Sequence, residues 1–68
     1  MIDYDLILNK DNPYGIYRIE FYNDDDNCYK KIYSNSIICL KLKVLVTNDL
    51  SLKEKLKLLK NMKHFKEL

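Results

Sequence analysis

Apolar and polar side chains alternate along residues 2–8, with Ile2, Tyr4, Leu6 and Leu8 on one side and Asp3 and Asp5 on the other. A period of two puts every second side chain on one face of an extended chain, so this stretch predicts a half-buried strand. Residues 16–22 repeat the pattern: Tyr17, Ile19 and Phe21 alternate with Ile16, Arg18, Glu20 and Tyr22. The density of Ile, Tyr and Phe there predicts a second strand. Between the two, Asn12-Pro13-Tyr14-Gly15 holds the only Pro and the only Gly of the chain. Pro at the second place and Gly at the fourth suit a type I turn.

Asn23-Asp24-Asp25-Asp26-Asn27 reads as a solvated loop, because three adjacent carboxylates repel inside a ladder. Cys28–Tyr33 follows as a shorter third strand, which makes 16–33 a hairpin with the acidic loop at its tip. Ser34-Asn35-Ser36 supplies the next turn. From 37 to 47 the even positions Ile38, Leu40, Leu42, Val44 and Val46 are all apolar, and Cys39, Lys41, Lys43 and Thr47 fall between them. A helix would set Lys41 and Lys43 about 200° apart with no clean polar side, so the alternation predicts a fourth strand.

Ser51-Leu52-Lys53-Glu54 has the spacing of a capping box, in which Ser and Glu satisfy free amides of a first helical turn. A helix from Leu52 to about Lys66 would carry Leu52, Leu56 and Leu59 as one apolar ridge and Leu58, Met62 and Phe65 as an adjoining one. Lys53, Lys57, Lys60 and His64 would line the far side. The expected fold class is therefore α+β: an antiparallel sheet of about four strands in the order β-β-β-β-α, with one C-terminal helix packed on one face.

Leu, Ile, Val and Phe make up 22 of the 68 residues, enough for one folded domain spanning 1–68 and too few for two. A core of this size leaves little room for a buried multi-step active site. Residues 1–28 carry seven acids and two bases, a net charge of −5; residues 29–68 carry ten lysines and three acids, a net charge of +7. The chain is thus polarised, with an acidic and a basic part that can face different partners or each other. Ile, Asn, Lys and Tyr supply 31 of 68 residues, a bias toward A/T-rich codons. Cys28 and Cys39 form no Cys-x-x-Cys and no disulfide framework. The N-terminus is acidic and unlike a targeting segment, and no apolar run approaches the roughly 20 residues of a membrane span. A cytoplasmic protein with reduced thiols is expected.

Four constellations bear on function. Asp24, Asp25 and Asp26 can act as a negative finger toward a basic site, or as a plain solvated tip; a calcium loop would need spaced ligands that do not follow. Tyr22 and Tyr29 flank that loop, and exposed Tyr gives rigid contact area at interfaces. Lys53, Lys57 and Lys60 repel one another along one helix side unless an anion relieves them. His64, the only histidine, has no acid placed to orient it, and no Gly-rich loop or Ser–His–Asp pattern accompanies it. No catalysis, cofactor or metal is expected.

In kind, a short AT-rich chain without enzyme motifs resembles the small phage or mobile-element proteins that bind and block a host machine, including inhibitors of CRISPR effectors. That resemblance implies a stoichiometric protein-binding module, an inhibitor or modulator, with a basic groove expected on its target. Its contacts are expected from Tyr22, Asp24, Asp25, Asp26 and Tyr29. The alternatives are a small nucleic-acid-binding protein using Lys30, Lys31, Lys41, Lys43 and the helix lysines, and a homo-oligomeric structural subunit, for instance a homodimer joined through an open sheet face or edge.

Overall fold

The computed structural model describes residues 3–13 and 15–67. Ile2 of the expected first strand and Tyr14 of the expected turn lie outside the described residues. Three strands come first: β1 (Asp3–Leu8), β2 (Tyr17–Tyr22) and β3 (Cys28–Ser34). Two helices follow, α1 (Ile37–Val46) and α2 (Leu52–Asn61), and then a two-residue strand β4 (Lys66–Glu67). The sheet order is β3-β2-β1-β4. β1 pairs antiparallel with β2, and β2 with β3, while β4 runs parallel to β1.

Register decides the faces. Leu6 stands opposite Ile19, and Ile19 opposite Ile32, so one apolar row crosses three strands. These residues and Phe21 are buried against Leu40 and Val44 of α1, Leu50 of the connection, and Leu58 and Met62 of α2. Both helices therefore cover the same sheet face. The opposite face carries the rows Asp5–Glu20–Lys31 and Ile7–Arg18–Tyr33. Gly15 closes the first connection because a Cβ there would stand 2.9 Å from the Ser34 backbone nitrogen and 2.9 Å from the Tyr33 Cβ.

The strands at 3–8, 17–22 and 28–34 and the capped start of α2 follow the expectations. Three expectations are corrected: Ile37–Val46 is a helix and not a fourth strand, so there are two helices instead of one C-terminal helix; the sheet is mixed rather than antiparallel; and α2 is shorter than expected. The period-two reading of α1 has a physical origin. Leu40 and Val44 form one i, i+4 row toward the core, and Ile38, Leu42 and Val46 form a second row on the other side. Interleaved, the two rows make every even position apolar, which imitates a strand.

The second helix also ends earlier than about Lys66. The Asn61 carboxamide donates to the Tyr4 hydroxyl at 2.8 Å, and the backbone closes on itself where His64 N–H meets the Asn61 carbonyl at 3.1 Å. Phe65 then leaves the helix and sets its ring edge-on to Tyr17, centroids 5.2 Å apart, which brings Lys66 and Glu67 beside β1. Of the two apolar ridges expected on α2, Leu58 and Met62 are buried as anticipated, whereas Leu52 and Leu56 face solvent.

Candidate functional site: the outer face of the two helices

Within α1 only Lys41 and Lys43 are polar, and the acid-free helix begins at Ser36 without a side-chain cap. What holds the segment helical is burial of Leu40 and Val44 on the sheet. The remaining apolar residues have nowhere to go but outward: Ile38 is 68% exposed, Leu42 56% and Val46 75%. Leu45 is exposed as well, and so is the Cys39 thiol beside this row. On α2, Leu52 and Leu56 stand one helical turn apart and are also exposed. The two helices are tied where Lys55 Nζ donates to the Leu45 carbonyl at 2.8 Å. Lys55 belongs to the same i, i+3, i+4, i+7 stripe as Leu52, Leu56 and Leu59, so that stripe lies toward the C-terminal end of α1.

Aliphatic side chains scattered singly over a surface are ordinary; here exposed ones recur one turn apart along the outer side of both helices. α1 thus carries a second aliphatic stripe opposite the one on the sheet, more than the single stripe by which a surface helix packs. The signal that could have found this face was in the sequence: ten residues with two lysines and no acid exceed what one sheet-facing stripe needs.

Lysines border the patch. Lys41, Lys53, Lys57 and Lys60 are exposed, and no described carboxylate pairs with them. Lys43 is spent on the Tyr33 carbonyl at 2.6 Å, and Lys55 on Leu45. Glu54, the single acid of the two helices, is engaged in the capping box: its carboxylate accepts from the Ser51 N–H at 3.0 Å, and its own N–H donates to the Ser51 hydroxyl at 3.2 Å. Those bonds hold its carboxyl below the usual carboxylate range, the backbone N–H of Ser51 most strongly.

The hairpin residues are arranged differently. The Asn23 side-chain oxygen accepts from the backbone of Asp25 and of Asn27, at 3.0 and 3.1 Å, and Asp26 takes the left-handed conformation at φ 60°. The tip is thus tied within itself and presents Asp24, Asp25 and Asp26 to solvent. Tyr22 lies on the open sheet face, where its hydroxyl donates to Glu20 Oε1 at 2.6 Å. That bond and the carboxylate's charge push the Tyr22 phenol up to about 12. Arg18 and Lys31 approach the other oxygen of Glu20, at 3.3 and 3.9 Å. Tyr29 sits at the bulge in β3, 55% exposed, its ring 6.5 Å from Phe21 on the helix-covered side. Tyr22 and Tyr29 therefore flank the tip from opposite faces of the sheet.

Lys30 and Lys31, grouped with Lys41 and Lys43 in the sequence, separate in the fold: Lys30 pairs with Asp49 at 2.6 Å, and Lys31 faces Glu20. Among the described residues, no group of three or more His, Cys, Asp or Glu could hold a metal ion. No described helix is long and apolar enough to cross a membrane.

Fold and surface together define a two-layer α+β chain with an uncovered aliphatic helical face. Compared with protein-family models, curated proteins and solved structures, the chain finds no match.

Proposed function

We propose that this chain is a non-enzymatic protein-binding module that acts by occupying a surface of a larger partner, as a stoichiometric inhibitor or modulator does. The observation that carries this reading is the exposed row Ile38, Leu42 and Val46 on α1, joined by Leu45 and by Leu52 and Leu56 on α2. Fully covering one such aliphatic side chain is worth about 1.5–3 kcal/mol relative to leaving it exposed, so a handful suffices to anchor a partner. This reading sets the main contact on the helices, with the hairpin residues Tyr22, Asp24, Asp25, Asp26 and Tyr29 as the other candidate surface. The acidic tip and Tyr29 supply a second exposed surface, suited to a basic partner.

The test is a selection in which a displayed library of helical peptides, unbiased in charge, is panned against the immobilised chain. The same library is panned in parallel against the Ile38→Asp/Leu42→Asp variant. Peptides enriched on the first and absent on the second support the reading. Equal recovery on both surfaces would remove the helical face. Steeply salt-dependent binding of labelled DNA or RNA in place of peptides would put the nucleic-acid reading ahead of it.

A further inference from the structure

Resting on that protein-binding reading, we infer that the occupant of the helical face is an amphipathic α-helix of a partner protein, with an aliphatic ridge flanked by carboxylates. Shape is the first argument. Ile38, Leu42 and Val46 are spaced i, i+4, i+8, and Leu52 and Leu56 are spaced i, i+4. Such rows are the ridges that interdigitate when one helix packs on another. The Lys55 link to Leu45 holds α1 and α2 side by side, so a third helix laid across them would meet a ridge from each.

Charge is the second argument. Four exposed lysines, Lys41, Lys53, Lys57 and Lys60, border the aliphatic rows, and the only acid on either helix is committed to the cap of α2. Carboxylates on the flanks of an incoming helix would meet this rim and relieve the repulsion among its lysines. A second copy joined face to face would set lysine against lysine across the two-fold axis. An anionic membrane would accept the charge, but it anchors an amphipathic helix through several buried Trp, Phe or Leu side chains, and α2, which carries three of the four lysines, exposes only Leu52 and Leu56.

Two synthetic fluorescein-labelled helical peptides test this. They share one leucine ridge and differ only in having Glu or Lys on both flanks. Anisotropy titrations against the intact chain should give the Glu peptide an affinity at least about tenfold higher. Lys53→Glu/Lys57→Glu should reverse that order, a gain that a misfolded variant could not show. Equal affinity of both peptides, lost in Leu42→Asp, would overturn the acidic partner and leave the protein-binding face standing. Binding of both peptides that survives Leu42→Asp would overturn the face itself. Three further results would also overturn the inference: binding to phosphatidylglycerol vesicles but to neither peptide, a sedimenting dimer of the chain abolished by Leu42→Asp, or no binding to any of these probes.

Discussion

Leu40 and Leu42 lie two residues apart on α1, yet Leu40 is completely buried and Leu42 is 56% exposed. The helix turns about 200° between them, so one side chain joins Phe21 and Ile19 in the core while the other meets solvent. Their truncations should differ accordingly. Leu40→Ala removes buried methyls and leaves a cavity, at a cost of about 2–5 kcal/mol; Leu42→Ala should stay within about 0.5 kcal/mol. Urea unfolding followed by circular dichroism distinguishes them. Equal losses would mean that Leu42 is not the solvent-facing residue described.

The same pair explains how much of the fold was legible in the sequence. The strands were readable because most of their buried side chains lie on the helix-covered face, which gives a period of two; Ile7 of β1, buried on the opposite face, is the exception. Ser51 and Glu54 announced α2 through a local bond pair that needs no tertiary information. α1 was not readable as a helix because it has two apolar faces, and two i, i+4 rows offset by two residues look like alternation. The exposed site was hidden by the same pattern. β4 was unreadable for a different reason: its two residues pair only because Phe65 is drawn to Tyr17 and Asn61 is held at Tyr4, contacts distant in sequence. The lysines of α2 were legible in position, while the aliphatic row beside them was assigned to the core.

Ser51→Ala should cost about 0.5–2 kcal/mol at neutral pH, the usual worth of an N-cap hydroxyl. Glu54 makes this loss pH-dependent. Its folded pKa lies below its unfolded value, so the stability it contributes is present above the unfolded pKa and disappears as pH falls through the folded one. The carboxyl of Glu54, followed by NMR, should titrate higher in Ser51→Ala than in the parent chain. An unchanged titration would detach the hydroxyl from the box.

Tyr22 should ionise near pH 12, held in its phenol form first by the bond to Glu20 and then by burial and nearby negative charge. Because the folded pKa is raised above the ordinary value near 10, the stability from this bond is complete below about pH 10 and is lost as pH rises toward 12. In an alkaline absorbance titration, Tyr22→Phe should remove the step near pH 12, and Glu20→Gln should move that step downward. A titration curve identical in Glu20→Gln would contradict the bond as its cause.

Gly15→Ala should destabilise by about 1–3 kcal/mol, since the added methyl would stand 2.9 Å from the Ser34 nitrogen and force a backbone to move. Ser34 is itself buried at the end of β3, so the displacement reaches the β2–β3 ladder at the Tyr17–Ser34 pair. Hydrogen exchange at that end of the hairpin should accelerate more than at its tip. A thermal midpoint unchanged by the substitution would show that the turn gives way freely.

The two exposed surfaces make opposite predictions for charge. If the helical face takes an acidic helix, the carboxylates of Asp24, Asp25 and Asp26 oppose the approach of the Glu-flanked peptide, because they add negative field to the chain it must reach. Asp24→Asn/Asp25→Asn/Asp26→Asn should then bind that peptide as tightly or a few-fold more tightly, through a faster on-rate, and the gain should fade in about 0.5 M salt, where screening is strong. Ile38→Asp/Leu42→Asp should instead lose about tenfold or more, and salt should not restore it, because what is lost is apolar contact. Stopped-flow association at two salt concentrations separates the cases. Slower association of the triple Asn variant would return the contact to the hairpin, with Tyr22 and Tyr29 as its anchors.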